Sequence, residues 1–222
     1  MASAGGIELK TNGVAICGGT EKSAWLHARA YRNLDSADVR GIFFDNATAT
    51  VTRADAWNLR PYSSFNDVLS DSEINIVEIL FPLKDRDERV LQAINAGKNV
   101  LIAPPFASSR DSAKKLLSVA KGAASKVMCG ENLLLYPPVQ KLLSLSEKKT
   151  VGRITAGRFR TIIAGKGGWD DFLNPDYKPV CPDIEILTMD EILRIELYEK
   201  LSLSQRFLGP VDEIHLIKSF AE

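Results

Sequence analysis

The chain has 222 residues, of which 45% are hydrophobic, enough to bury a sizeable core and to build one large domain plus part of a second. Its 28 basic and 28 acidic residues cancel to a net charge of zero, which argues against the broad positive field of a nucleic-acid or anionic-membrane binder. The opening Met1-Ala2-Ser3-Ala4-Gly5-Gly6 lacks the basic start and apolar core of a signal peptide, and no apolar run approaches the ~20 residues that span a bilayer, so a soluble cytoplasmic protein is expected.

In chain order, apolar runs of strand length alternate with helical patterns. Strands are predicted at Gly13–Cys17, Val39–Phe44, Ile74–Phe81, Asn99–Ile102 and Lys126–Cys129. Helices are predicted between them at Ser23–Asn33, Ser64–Leu69, Asp87–Ala96 and Ser109–Ala120. Asp85 precedes the third of these helices, and Gly97 closes it by taking the left-handed conformation. Ser108 or Ser109 caps the fourth, and Pro137-Pro138 opens a further helix through Leu145. Such alternation marks βαβ units on a doubly wound parallel sheet, here over residues 1–130. From 131 to 222 the pattern changes to a long strand at Ile154–Ile163, a glycine-rich loop at Gly165–Gly168, a helix from Met189 to Phe207 and a last strand at Val211–Phe220. This predicts a second, α+β domain cut short.

The first strand runs into a helix through Cys17-Gly18-Gly19-Thr20-Glu21-Lys22-Ser23-Ala24. Backbone N–H groups and the helix dipole at such a turn favour an anion, as the pyrophosphate of a dinucleotide requires. Gly18, Gly19 and Thr20 are therefore candidate cofactor-binding residues. The full G-x-G-x-x-G is absent, because counting from Gly19 its later glycines are Glu21 and Ala24. Alanine is accepted at the third place, but a carboxylate at the second is expected to add bulk and repel the pyrophosphate. Asp45, at the end of the second strand, stands where an acid hydrogen-bonds the ribose hydroxyls and disfavours a 2′-phosphate, which would favour NAD over NADP. Each feature also has a plain structural reading, as a tight turn without nucleotide and a strand-end Asx-turn. Cys17, Cys129 and Cys181 are odd in number and far apart, so three reduced thiols and no metal site are expected.

Across most of its length the chain resembles the Gfo/Idh/MocA family of NAD(P)-dependent oxidoreductases. The resemblance rests on Leu26-His27-Ala28-Arg29-Ala30, Asp45, Tyr62-Ser63-Ser64-Phe65, Phe81-Pro82, Ala96-Gly97-Lys98-Asn99-Val100-Leu101, Pro105-Phe106-Ala107, Gly130-Glu131-Asn132, Val151-Gly152-Arg153-Ile154, Gly168-Trp169 and Phe207-Leu208-Gly209-Pro210-Val211, in the family's order. It implies a Rossmann domain followed by an α+β domain for substrate and dimerisation, with Phe81 and Pro82 beside the cofactor and Asn132, Lys166 and Trp169 as substrate-cleft candidates. It also implies hydride transfer between a nicotinamide and a sugar carbon, served by a lysine in a Glu-Lys-Pro motif and a histidine on the second domain's long helix.

Carried over by position, Glu-Lys-Pro is Ala103-Pro104-Pro105, the family's asparagine is Leu83, a nearby histidine is Arg86, and the helix histidine is Glu199. Pro104 has no side-chain donor, so no confident catalytic residue remains. Two readings stay open. One is a catalytically silent relative that binds a nucleotide, a sugar-like ligand or a protein; the other is an active sugar or polyol oxidoreductase with a rebuilt set. For the second, Glu199, or Lys166, Asp170 and Asp171 on the glycine-rich loop, would supply the proton. Against it, Glu191, Glu196, Glu199 and Lys200 form a solvated helix face with Glu196–Lys200 pairing. Neither His27 nor His215 has an acid or thiol neighbour in sequence that suggests a triad or metal site. The short second sheet would leave an open edge, so a homo-oligomer or protein partner is expected there.

Overall fold

The computed structural model describes residues 11–160 and 189–215. These fall into two compact units, divided between Gly130 and Glu131.

The first unit is a six-stranded, wholly parallel sheet. Its strands are β1 (Asn12–Cys17), β2 (Ala37–Phe43), β3 (Arg60–Pro61), β4 (Ile76–Ile79), β5 (Asn99–Ile102) and β6 (Val127–Cys129), in the spatial order 3-2-1-4-5-6. Between them run α1 (Glu21–Tyr31), α2 (Ala47–Trp57), α3 (Phe65–Ser70), α4 (Leu83–Asn95) and α5 (Arg110–Gly122). The order reverses between β1 and β4, which are paired, and such a switch point is where open α/β sheets bind ligands.

Period-two alternation along the strands sorts the core into two faces. Ala15, Cys17, Phe43, Val77, Ile79 and Phe81 point to one face, where α3, α4 and α5 add Phe65, Val68, Val90, Ala93, Ile94 and Leu116. Ile16, Ile42 and Phe44 point to the other, against Ala24 and Ala28 of α1 and Ala54 and Trp57 of α2. From Gly13 on, β1 is buried along its whole length, as a central strand covered on both faces must be. Each such Val or Ile contributes about 1.5–3 kcal/mol.

The caps are local chemistry. Thr20, Asn46, Ser64 and Ser109 each accept from the backbone N–H three residues on, and Gly97 follows α4 at φ +74. The expected helix at Asp87–Ala96 starts earlier, at Leu83, so Asp85 lies in its first turn rather than before it. The strand expected at Ile74–Phe81 is shorter at both ends, because its last residues turn into α4.

The second unit contains α6 (Asn132–Leu135), α7 (Pro137–Glu147) and α8 (Met189–Leu208). In α7, Pro137 takes a first-turn place, where its missing N–H costs nothing. Tyr198 and Ser202 of α8 both donate to the Glu131 carboxylate, the former at 3.2 Å. The strand expected at Ile154–Ile163 does not form over 154–160, and that expected at Val211–Phe220 does not form over 211–215; their remaining residues lie outside the described ones. Alternating apolar residues in those segments have no ladder partner among the described residues, and without one the pattern does not make a strand.

Candidate functional site

The turn between β1 and α1 lies at the C-terminal end of the central strand, beside the switch point. Gly18 and Gly19 have φ of +77 and +84, a region that L side chains rarely adopt. A methyl group on Gly18 would overlap the Phe81 ring, and one on Gly19 would come within 2.7 Å of Ser23 Oγ and 2.9 Å of Leu80 Cβ. The protein's own packing thus requires both glycines. The turn also leaves the Gly19 and Thr20 N–H groups without an acceptor among the described residues, at the head of an 11-residue helix. Those are donors that a phosphate would use.

Glu21 does not face that anion site. It is wholly buried, and its Oε2 accepts from Arg53 Nε of α2 at 3.1 Å, with the Arg53 guanidinium over the Phe44 ring at 4.5 Å. The expected repulsion of a pyrophosphate by Glu21 is therefore corrected: the carboxylate turns inward and is matched by a buried cation.

Asp45 stands at the end of β2, half exposed, and accepts at Oδ1 from Arg89 Nη2 at 2.7 Å. Arg89 comes from α4 and lies 3.7 Å above the Phe81 ring centroid. Phe81 is 2% exposed, packed edge-on against Phe43 and Phe65, so it forms a floor under Gly18 and Arg89 rather than a wall of an open cleft. Pro82, half buried, directly precedes α4. Gly18, Gly19, Thr20, Asp45, Phe81 and Pro82 are thus gathered at one end of the sheet.

The segment after β5 carries Ala103-Pro104-Pro105. Pro104 is half buried, and Pro104–Pro105 is a cis peptide. Arg86, only 2% exposed, donates to the Ala103 carbonyl at 2.8 Å and to the Pro105 carbonyl. Its guanidinium thus grips the backbone on both sides of Pro104.

In the second unit Asn132 is exposed as the first residue of α6, so it does not cap that helix; Glu131 precedes it, without a side-chain capping bond. Glu199 is half buried on α8, and that burial raises its pKa. Glu196 and Lys200 pair as the i,i+4 spacing predicts. Glu199, half buried, departs from the fully solvated face expected for this helix. Lys166, Trp169, Asp170 and Asp171 lie outside the described residues, as does the Glu191 side chain.

Sequence reasoning missed three groups. Arg86 begins the buried stripe of α4, Arg86, Val90, Ala93 and Ile94, and an arginine on that apolar stripe was the available signal; Arg89, one residue before Val90, is only partly buried. The Glu21–Arg53 pair had none, because 32 residues and an unpredicted helix separate the partners. His27 Nδ1 meets Glu78 Oε1 of β4 at 2.5 Å, which raises the His27 pKa, and the signal was a carboxylate inside a strand of apolar residues. Among the described residues no cluster of three or more His, Cys, Asp or Glu could hold a metal, and no helix is long and apolar enough to cross a membrane.

A doubly wound sheet with a glycine turn at its switch point and an acid at the end of β2 defines a Rossmann-type unit. Residues 13–131 match the model of the Gfo/Idh/MocA oxidoreductase family, NAD-binding Rossmann fold, and the chain belongs to that family. Of curated proteins, an uncharacterised oxidoreductase of Schizosaccharomyces pombe is 32% identical over 136 residues, 58% of this chain and 36% of that protein. The dehydrogenase aclE of Aspergillus oryzae is 32% identical over 97 residues, 44% of this chain and 26% of that protein. The chain spans well under half the length of the curated relatives it matches. Among solved structures, an NAD-binding protein from Listeria innocua is 25% identical at a TM-score of 0.57, covering 64% of this chain and 42% of that one.

Proposed function

We propose that this protein is a nucleotide-binding relative of the family's dehydrogenases with weak or no dehydrogenase activity of its own. The observation that carries the reading is Pro104: the residue at the family's lysine position offers no donor to a substrate oxygen, and Arg86 fixes the backbone around it.

The residues present fit a dinucleotide at the switch point. Its pyrophosphate would meet the Gly18, Gly19 and Thr20 backbone, its ribose Asp45, and its adenosine the Pro82 edge above the Phe81 floor. Asp45 favours NAD over NADP. A bound nicotinamide would supply a hydride; the chain's part is to bind and orient it. Asn132, and Lys166 and Trp169 outside the described residues, are the proposed contacts for a sugar-like ligand. The second unit's exposed Tyr136, Phe159 and Ile214 fit a surface for a second copy or a protein partner. A cytoplasmic location fits three cysteines whose number and spacing form no disulfide framework.

The alternative, an active sugar or polyol oxidoreductase, draws support from Glu199, whose burial-raised pKa suits a proton donor. The test is titration with NADH and NADPH, read by tryptophan fluorescence, on the wild type and Thr20→Asp. That substitution keeps a helix-capping oxygen but sets a carboxylate beside the anion site. Saturable binding weakened about tenfold or more by Thr20→Asp is expected. Absence of binding refutes the reading, and turnover of a sugar would favour the alternative.

A further inference from the structure

The Arg89–Asp45 pair changes what the end of β2 can select. An acid there disfavours NADP because its charge repels the 2′-phosphate, whereas an arginine nearby accommodates that phosphate. In this chain both groups are present and joined. The bond from Arg89 Nη2 to Asp45 Oδ1 leaves the carboxylate half exposed, but with a cation against it. Arg89 reaches this point from α4, and its guanidinium carbon lies 3.7 Å over the centroid of the buried Phe81 ring, which also supports Gly18. Nη1 is buried and has no hydrogen-bond partner among the described residues, and Nη2 carries a second N–H beyond the one at Asp45, so the fork has donor capacity that Asp45 does not use. Arginine suits this role because its planar fork pairs with phosphate oxygens and stacks on aromatic rings at the same time.

We propose that Arg89 sets the dinucleotide selectivity of this site: it offsets the repulsion of a 2′-phosphate by Asp45 and offers that phosphate a donor, leaving only a narrow preference for NAD. The proposal rests on the dinucleotide-binding reading above. It makes Asp45 and Arg89 opposing halves of one selector, with Asp45 acting on the ribose hydroxyls and Arg89 on a phosphate attached to them.

Equilibrium titrations of NADH and NADPH against wild type, Arg89→Ala, Arg89→Gln and Asp45→Asn test this, with thermal melts to establish that each variant is folded. The wild-type affinities are expected to lie within about tenfold of each other. Both Arg89 variants should lower NADPH affinity by about tenfold or more while changing NADH affinity much less, since without Arg89 the Asp45 carboxylate faces the 2′-phosphate as a like charge. Asp45→Asn should move the ratio the opposite way. Equal losses for both dinucleotides in the Arg89 variants, or an unmoved ratio, would overturn the proposal and leave the dinucleotide reading standing. Failure of either dinucleotide to bind the folded wild type would overturn both.

Discussion

Replacement of Glu21 by glycine separates the structure's account of the β1–α1 turn from the motif's. By motif alone, Glu21→Gly restores the second glycine of the fingerprint and should tighten dinucleotide binding. In the structure, Glu21 and Arg53 bury side chains that are 0% and 4% exposed, joined at 3.1 Å. Removing one member of a buried ion pair typically costs about 3–5 kcal/mol. Glycine at the first helical position also removes an acidic residue that the dipole favours, a smaller loss of about 0.3–1 kcal/mol. For a chain of this size, the pair's loss alone lowers the melting temperature by roughly 6–20 °C. Glu21→Gln retains an acceptor for Arg53 and should fall between. The joint change Glu21→Leu with Arg53→Leu removes both charges and should recover much of the loss. Thermal and urea unfolding of the four proteins, with NADH titration of each folded variant, measures this. A Glu21→Gly protein as stable as the wild type that binds NADH more tightly would refute the buried-pair argument.

The His27–Glu78 contact predicts a pH dependence. Because the His27 pKa is raised in the fold, its contribution is complete below the ordinary histidine value of 6.5 and is lost as pH rises through the raised one. The stability gap between wild type and His27→Gln, measured by urea unfolding at several pH values, should therefore shrink toward alkaline pH. Gly18→Ala should cost more than Gly97→Ala: both incur about 1–2 kcal/mol for a left-handed backbone, but only the first meets Phe81, adding roughly 1–3 kcal/mol of overpacking. Paired melts decide the order. Pro104→Lys with Ala103→Glu should not create sugar dehydrogenase activity, since Arg86 still grips the segment and a misplacement of about 1 Å can cost on the order of 100-fold. Appreciable NADH production over a panel of sugars and polyols would show that only the lysine had been lost.

The parallel sheet was legible because β1, β2, β4 and β5 carry concentrated apolar residues and are bounded by Thr20, Ser109 and Gly97, whose chemistry is local. Helix α2 was not, since Ala47-Thr48-Ala49-Thr50 gives a weak apolar stripe and only Asn46 announces its start. The two-residue β3 was hidden by Pro61, a residue accepted at a sheet edge because one donor is not needed there. The backbone of the site, Gly18, Gly19, Thr20 and Asp45, could be placed from strand ends. What surrounds it could not: Arg89 meets Asp45 across 44 residues and Arg86 meets Pro105 across 19, and no local pattern encodes such contacts.

The proposed dinucleotide cradle without hydride transfer is tested most directly by reading occupancy and turnover in one sample. Wild-type protein is brought to a measured NADH or NAD occupancy by tryptophan fluorescence, and nicotinamide absorbance is then followed with a panel of sugars, polyols and their oxidised forms. Saturable occupancy is expected, with an absorbance trace no faster than that of the protein-free control. Turnover at rates typical of enzymes, roughly 1 per second or more, would contradict it, as would the absence of any occupancy.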